Sequence, residues 1–339
     1  MRQNTQDALF GRVIAITGAS AGVGRATALA AARAGASLLL MARSQTALEA
    51  VADEARALGV RVHVAPLDVA DAEAARQAAH AGEQALGPID VWVNSAMVTV
   101  FSPIARLDPE EIAQVTRVTY LGSVHGALAA LEVMRGRDRG VIVQVGSALA
   151  YRGIPLQAPY CAAKHAIRGF LDSLRAELIH EGCGVQVSEV HLPAVNTPQF
   201  NWARAHTSRR PQPVGEIHAP EVAAEAILTA ARHPRREYWL GASTAQTIIG
   251  QTVAPQLMDR MMADMAWEGQ FSDATFPPDY QDNLFATVEP PHRTEGRFSA
   301  GQRMAAPLIP GDLARVAAVA AGAAAFAGLG LLIGRLGRR

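Results

Sequence analysis

Val13-Ile14-Ala15-Ile16-Thr17-Gly18-Ala19-Ser20-Ala21-Gly22-Val23-Gly24 is the stretch that decides the fold of this 339-residue chain. Its first five residues predict a β-strand, the glycines predict a tight turn, and an Ala-rich helix follows. In that order, backbone N–H groups and the positive end of the helix dipole meet at one point, where glycine lets an anion approach closely. The stretch therefore predicts a pyrophosphate-binding loop that opens a βαβ unit. The residues expected at the anion are Thr17, Gly18, Ser20, Gly22, Val23 and Gly24.

Outward from this loop, short aliphatic runs alternate with Ala-rich stretches of helical period as far as about Leu240. The predicted strands are Val13–Thr17, Ser37–Ala42, Arg61–Pro66, Ile89–Asn94, Gly140–Gly146, Gly184–Val190 and Glu237–Leu240. The predicted helices lie near 23–34, 45–58, 71–86, 109–135, 157–181 and 220–233. Runs such as Leu38-Leu39-Leu40 are apolar at successive positions, which is typical of strands covered on both faces. The alternation predicts an α/β fold with a doubly wound, Rossmann-like parallel sheet.

Beyond Leu240 this alternation ends. Residues 248–267 are Met-rich and predict a helix, whereas Phe271–Ile309 is punctuated by Pro, Gly and aromatic residues. Two interpretations of that second stretch stay open, an ordered extension packed on the core or a linker. The predicted division is a domain of residues 10–240, an extension of residues 241–312 and an apolar tail of residues 313–339.

Composition excludes several classes of protein. Half the residues are apolar and 31 Lys and Arg balance 31 Asp and Glu, so neither a disordered chain nor a general nucleic-acid binder is expected. Two cysteines, Cys161 and Cys183, cannot form a disulfide framework, which favours a reducing cytoplasm. Residues 1–11 are polar and predict no export signal. The ten histidines form no metal-binding motif, so no metal is expected.

The tail contains Val316–Ile333, 18 residues without a charge. As a helix this segment would span about 27 Å, just under the ~30 Å of a bilayer core. The alternatives are a helix packed on a partner subunit and a frayed tail. We favour membrane association, because the run lies outside the fold and has no polar face.

The end of the second predicted strand carries information about the anion. It reads Leu40-Met41-Ala42-Arg43-Ser44, without the acid that would bind the ribose 2′-hydroxyl of NAD. Arg43, together with Arg25 after the last loop glycine, suits a 2′-phosphate, because guanidinium groups pair with phosphate in a bidentate manner. The sequence therefore predicts NADP (NADPH) as the cofactor.

Three further residues form a candidate catalytic set. Ser147 ends the predicted strand at 140–146, and Tyr160 and Lys164 follow on one long helix. Positions four apart share a helix face, so the phenol and the ammonium are expected in one pocket. The ammonium is expected to lower the pKa of Tyr160 toward neutrality and make it an acid/base, while Ser147 binds the substrate oxygen.

With these motifs together, residues 10–240 resemble the short-chain dehydrogenase/reductase family in its one-domain branch. The resemblance also rests on Asn94-Ser95-Ala96 after the fourth strand and on Pro193 and Thr197 after the sixth. It implies that Asp68 and Val69 flank an adenine, that Asn94 and Ala96 line the cofactor groove, and that Thr197 holds the nicotinamide carboxamide. It also implies that residues 198–215 form a mobile substrate lid. A homodimer or homotetramer through the helices near 109–135 and 157–181 is implied as well.

The chain departs from the family pattern in its fourth helix. There the family often carries an Asn that anchors a proton-relay water to the lysine, and Thr119 occupies that position. Because a hydroxyl can donate and accept, we expect Thr119 to be a relay member.

The resulting prediction is an NADP-dependent oxidoreductase that moves hydride between the nicotinamide and a carbonyl or secondary alcohol. One alternative is a low-turnover NADP(H)-binding sensor or scaffold, because the relay Asn is replaced. Another is an epimerase or dehydratase on the same fold, which would consume no NADPH.

Overall fold

The computed structural model describes residues 9–288 and 291–320. The strands are β1 Val13–Thr17, β2 Ser37–Ala42, β3 Val62–Pro66, β4 Ile89–Asn94, β5 Val100–Phe101, β6 Gly140–Ser147, β7 Val185–Leu192, β8 Ala194–Val195, β9 Arg204–Ala205, β10 Ile217–His218, β11 Glu237–Leu240 and β12 Leu308–Pro310. The helices are α1 Gly22–Arg33, α2 Gln45–Ala57, α3 Ala72–Leu86, α4 Pro109–Val115, α5 Gly122–Arg135, α6 Ala158–His180, α7 Gln199–Trp202, α8 Pro220–Arg232, α9 Ala242–Val253, α10 Pro255–Met261 and α11 Trp267–Gly269.

An eight-stranded sheet organises the chain, in the order β12-β11-β7-β6-β4-β1-β2-β3. All neighbouring strands of this sheet pair in parallel, except that β12 at the edge pairs with β11 in the antiparallel sense. The strand order reverses between β1 and β4, and a ligand crevice is expected at the carboxyl ends of the strands on either side of such a switch point. The predicted doubly wound α/β fold is confirmed.

Both faces of the sheet are buried, which explains the uninterrupted apolar runs. In β2, Leu38 and Leu40 pack into one core cluster, whereas Leu39 and Met41 pack into the other. Successive side chains of a strand point to opposite faces, so each face needs its own apolar residues.

The predicted helix near 109–135 is not continuous. It consists of α4, a widened π-helical turn at Thr116–Leu121, and α5. Asp108 begins α4 with a capping box that also uses Glu111. The widened turn carries Thr119 and aims its hydroxyl at the backbone of Val98.

The stretch after β11 packs on the core where the structure describes it. Gly241 N–H donates to the carbonyl of Pro307, and Arg303 N–H donates to the carbonyl of Ile217. Strand β12 then adds an antiparallel edge to the main sheet. Of the two interpretations of residues 271–309, these contacts fit an extension packed on the core, and not a linker.

Residues 311–320 are helical, and residues 321–339 lie outside the described residues. The predicted apolar helix Val316–Ile333 therefore falls largely outside the described residues, and its membrane association stays a prediction. Within residues 9–288 and 291–320, no helix has both the length and the apolar character needed to cross a bilayer.

Candidate active site

A cavity of about 410 Å³ lies at the carboxyl ends of the central strands. The predicted site residues that line it are Gly18, Ser20, Gly22, Val23, Gly24, Arg43, Ala96, Ser147, Tyr160, Lys164, Pro193 and Thr197. The structure thus brings the glycine loop and the Ser–Tyr–Lys set to one cavity, although more than 120 residues separate Gly24 from Ser147. A volume of this size is within the range of ligand sites, roughly 300–1,000 Å³.

Glycine is required in the loop by close contacts. A Cβ on Gly24 would lie 2.2 Å from the carbonyl oxygen of Gly18, and one on Gly18 would lie 2.8 Å from Cα of Ala96. Gly18 also has φ +68°, a left-handed conformation that favours glycine. The Thr17 hydroxyl accepts hydrogen bonds from the N–H groups of Ser95 (3.0 Å) and Ala96 (3.2 Å), which join the loop to the end of β4. This tight loop at the start of α1 fits the pyrophosphate of a dinucleotide.

The catalytic candidates converge from β6 and α6. Ser147 is the last residue of β6, and its side chain is close enough to the Tyr160 hydroxyl to act on the pKa of that phenol. The Lys164 ammonium donates a 2.8 Å hydrogen bond to the carbonyl of Val145 and lies 5.5 Å from the centre of the Tyr160 ring. The backbone of β6 therefore holds the Lys164 ammonium, and all three side chains lie at the same cavity.

The structure corrects the expected pKa of Tyr160. Burial raises the pKa of this phenol, and the hydrogen bond from Ser147 only partly opposes that effect. In this geometry Tyr160 is protonated at neutral pH and suited to donate a proton.

Lys164 is the single lysine among the 31 Lys and Arg residues of the chain. Burial lowers the pKa of its ammonium to about 8, while the charge of Glu189 opposes that effect. The amino-acid composition therefore carries a signal for this site in addition to the motifs.

The two candidate phosphate-binding arginines have partners in the extension. Arg43 Nη2 donates a 2.7 Å hydrogen bond to the carbonyl of Asn283, whereas Nη1 is buried and has no hydrogen-bond partner among the described residues. Burial lowers the pKa of Arg43, and the charge of Asp68 opposes this. Arg25 does not line the cavity, and its guanidinium contacts Glu54 and the hydroxyl of Thr294.

Several predicted residues lie behind the cavity wall. The Asn94 amide accepts from the Trp92 indole (2.9 Å) and donates to the Ser123 carbonyl (3.0 Å), so it joins β4 to α5 instead of lining the groove. The Thr119 hydroxyl donates to the carbonyl of Val98 (2.9 Å) and accepts from the N–H of the same residue (3.1 Å). Its single proton is therefore used by Val98, and Thr119 does not line the cavity in which a relay water would lie.

The pair implied to flank the adenine also lies off the cavity wall. The Asp68 carboxylate accepts from the N–H of Ala70 (2.9 Å) in the turn before α3, and Val69 is buried against Gly122. Both are close to the groove, since the charge of Asp68 acts on Arg43, but neither lines it.

The segment implied to be a substrate lid, residues 198–215, contributes Phe200, Trp202 and Val214 to the cavity. The extension supplies a further wall of the cavity, which no sequence motif predicts. Its residues are Ser243, Thr244, Thr247, Met262, Ala266, Asn283, Thr287, Val288 and His292. They are brought to the site by the way the extension packs on the core, and such packing leaves no local pattern in the sequence.

Comparison with known proteins agrees with this geometry. A family model described as short chain dehydrogenase matches residues 12–207. The uncharacterized oxidoreductase YxnA of Bacillus subtilis (strain 168) is 32% identical over 276 residues, which are 81% of this chain and 78% of that protein. The dehydrogenase/reductase SDR family member 7B of Bos taurus is 31% identical over 265 residues, 75% of this chain and 81% of that protein.

A solved structure is similar over the same region. It is the X-ray structure of an alcohol dehydrogenase from the archaeon Thermococcus sibiricus complexed with 5-hydroxy-NADP, with a TM-score of 0.59 and 29% identity. The alignment covers 68% of this chain and 95% of that one. With the family match over more than half its length, the chain belongs to the short-chain dehydrogenase/reductase family of NAD(P)-dependent oxidoreductases.

Proposed function

We propose that this enzyme uses NADP and transfers hydride between the nicotinamide and a carbonyl or secondary alcohol. The observation that carries the proposal is the composition of the two ends of one cavity. Ser147, Tyr160 and Lys164 lie at one end, and Arg43, whose Nη1 finds no hydrogen-bond partner in the described part of the chain, lies at the other.

The preference for NADP rests on Arg43. The end of β2 carries no acid for a ribose 2′-hydroxyl, and the half-buried guanidinium of Arg43 has a pKa that burial lowers, against the charge of Asp68. A 2′-phosphate would supply a counter-charge to this guanidinium and accept from Nη1. The Thermococcus sibiricus enzyme, which was solved with 5-hydroxy-NADP, is consistent with this assignment.

When bound, the cofactor supplies or accepts the hydride. In the direction of reduction, protonated Tyr160 donates its proton to the substrate oxygen, and the Ser147 hydroxyl donates a second hydrogen bond to the same atom. Lys164, held by the carbonyl of Val145, keeps a positive charge beside the phenolate that remains. In the direction of oxidation, the phenolate takes the proton back.

The substrate end of the cavity is largely apolar. Its walls include Met97, Leu149, Ile154, Val214 and Met262. Arg152 also lines it, but its charge is paired with Asp259 at 2.7 Å. We therefore propose an uncharged carbonyl or alcohol as the substrate.

The test is oxidation of NADPH and of NADH by the full-length protein with ketones, quinones, steroids and acyl carriers. We expect turnover with NADPH and an uncharged carbonyl, and much weaker turnover with NADH. NADPH binding without consumption over the whole panel would instead favour the sensor or the epimerase/dehydratase alternative.

Three further predictions from the sequence are kept here as proposals. They are the division into residues 10–240, 241–312 and 313–339, membrane association through residues 316–333, and a homodimer or homotetramer through α4 to α6. Leu128 on α5 and Ile179 on α6 are exposed and suit an interface. Sedimentation with vesicles and light scattering of the full chain test the last two.

A further inference from the structure

Three groups expected at the cofactor phosphates are in contact with the extension. Gly22 N–H donates a 3.0 Å hydrogen bond to the carbonyl of Arg293. Arg43 donates to the carbonyl of Asn283 at 2.7 Å, and Arg25 donates to the hydroxyl of Thr294. These contacts join the start of the chain to one short stretch 240 or more residues later. The extension is therefore fastened to the phosphate loop and to the end of β2.

The extension covers the groove without filling it. The cavity persists between them, with Gly18 and Arg43 on its inner side and Thr287, Val288 and His292 on its outer side. A segment that competed with the cofactor would occupy this volume. The extension instead leaves this volume open and forms one wall of the cavity.

His292 lines this space on the side of the extension. Its Nε2 donates a 3.0 Å hydrogen bond to the carbonyl of Val288, and its ring packs on Trp202 with centres 5.2 Å apart. Its Nδ1 is buried without a partner among the described residues, as is Nη1 of Arg43. Two residues that line the cavity from opposite sides thus each carry one polar atom without a hydrogen bond, which is unusual for a buried group.

The wall is docked onto the segment that contains Thr197. Gly296 N–H donates to the carbonyl of Asn196, and a Cβ on Gly296 would lie 2.4 Å from the carbonyl oxygen of Thr197. Arg297 donates to the carbonyls of Phe200 (3.1 Å) and Pro211 (2.7 Å). The extension therefore contacts both sides of the groove, at the glycine loop and at the segment after β7.

We propose that residues 283–288 and 291–297, here called the outer wall, are part of the cofactor site. The nicotinamide dinucleotide phosphate binds between this wall and the glycine loop, in contact with His292 and Arg43, and leaves only when the wall undocks. The inference rests on the proposed function, since it presupposes NADP in this cavity. It adds cofactor-contacting residues that lie beyond the family match, which ends at residue 207.

The test is the rate of NADPH dissociation from the full-length protein, measured by stopped-flow fluorescence with NADP chase. Gly296→Ala is the main variant, because its methyl group meets backbone atoms of Thr197 and so strains the docking of the wall, while Gly296 itself does not line the cavity. Gly169→Ala is the matched control, since its Cβ would meet nothing within 4 Å. We expect NADPH to dissociate about tenfold faster from G296A, with a weaker Kd, and unchanged from G169A.

A second variant covers the case in which G296A does not fold. Thr294→Val removes the hydroxyl that accepts from Arg25 without adding bulk, and we expect faster NADPH release by a smaller factor of about threefold. Equal release rates from the wild type and a folded variant would overturn the outer wall, and tighter NADPH binding by G296A would show competition instead. Absence of NADPH binding to the unmodified protein would refute the proposed function itself.

Discussion

The two ends of the cavity are built in different ways. At the catalytic end, Ser147, Tyr160 and Lys164 come from 18 consecutive residues and are held by β6 and α6. At the dinucleotide end, Arg43, which directly follows β2, donates to the carbonyl of Asn283 in the extension and lines the cavity together with His292. Under the proposed function, the chemistry depends on a strand and a helix of the core, whereas the choice and retention of the cofactor depend on contacts between residues far apart in the chain.

Because the two ends are built from different elements, substitutions that affect proton transfer should be separable from substitutions that affect cofactor binding. If the proposed function holds, substitutions at the catalytic end act on the proton and leave the cofactor bound, since most of the dinucleotide contacts lie at the other end. Substitutions at the other end act on binding and leave the proton transfer intact. Each variant below is therefore judged by turnover and by NADPH affinity together.

The largest effect is expected from Tyr160→Phe. Without the phenol, the substrate oxygen has no proton donor, and kcat should fall by about 10²–10⁴-fold while the Kd for NADPH hardly changes. Tyr238→Phe is the control. This tyrosine lies in β11, its hydroxyl donates to the carbonyl of His233, and it does not line the cavity. Retained turnover in Y160F would remove the assignment of the acid/base.

Lys164→Met should lower activity and raise stability. Because burial lowers the pKa of Lys164 to about 8, the folded protein gives up this proton more readily than the unfolded chain does. The charged form therefore costs stability below pH 8, and the cost fades between pH 8 and the ordinary lysine pKa of about 10.4. We expect the variant to unfold with about 2 kcal/mol more free energy at pH 7, after the loss of the bond to Val145 is included.

Denaturant unfolding across pH measures this difference directly. The gain of K164M over the wild type should shrink as pH rises above 8, and wild-type kcat should fall over the same range as the ammonium is lost. Since the chain has a single lysine, incorporation of ε-¹³C-lysine gives one resonance whose titration reports this pKa. A midpoint above pH 10 would contradict the burial argument.

Arg43→Gln tests the opposite end. Loss of a charge-assisted contact should lower the preference for NADPH over NADH by about 10–100-fold, with little change in kcat for NADH. Arg61→Gln is a matched control, because Arg61 also donates to backbone carbonyls but lies away from the cavity. An unchanged preference would move the 2′-phosphate away from Arg43.

The sequence allowed the sheet to be predicted closely and the cavity only in part. Strands such as Val13–Thr17 and Ile89–Asn94 occupy the predicted residues, because continuous apolar runs encode a strand buried on both faces. The Ser147–Lys164 set was predictable for a similar reason, since its geometry is local to one strand and one helix. The outer wall was not, because Asn283 and Arg293 contact the site through backbone carbonyls, which every residue type possesses.

Thr119 shows the same limit inside the core. Its position in the chain suggested a relay, but that inference took no account of the widened turn that points its hydroxyl at Val98. The role of a hydroxyl depends on its neighbours in space, and the spacing of residues along the chain does not supply them.

Thr119→Val should therefore have the smallest effect on the reaction. The substitution leaves two buried backbone groups of Val98 without a partner, which costs about 1–3 kcal/mol of stability. Because the hydroxyl does not contact the cavity, kcat should stay within about threefold of the wild type. Thr119→Ser keeps the hydroxyl and should retain both stability and rate. A stable T119V with kcat lowered tenfold or more would restore the relay, and would show that the catalytic end extends beyond β6 and α6 into the widened turn.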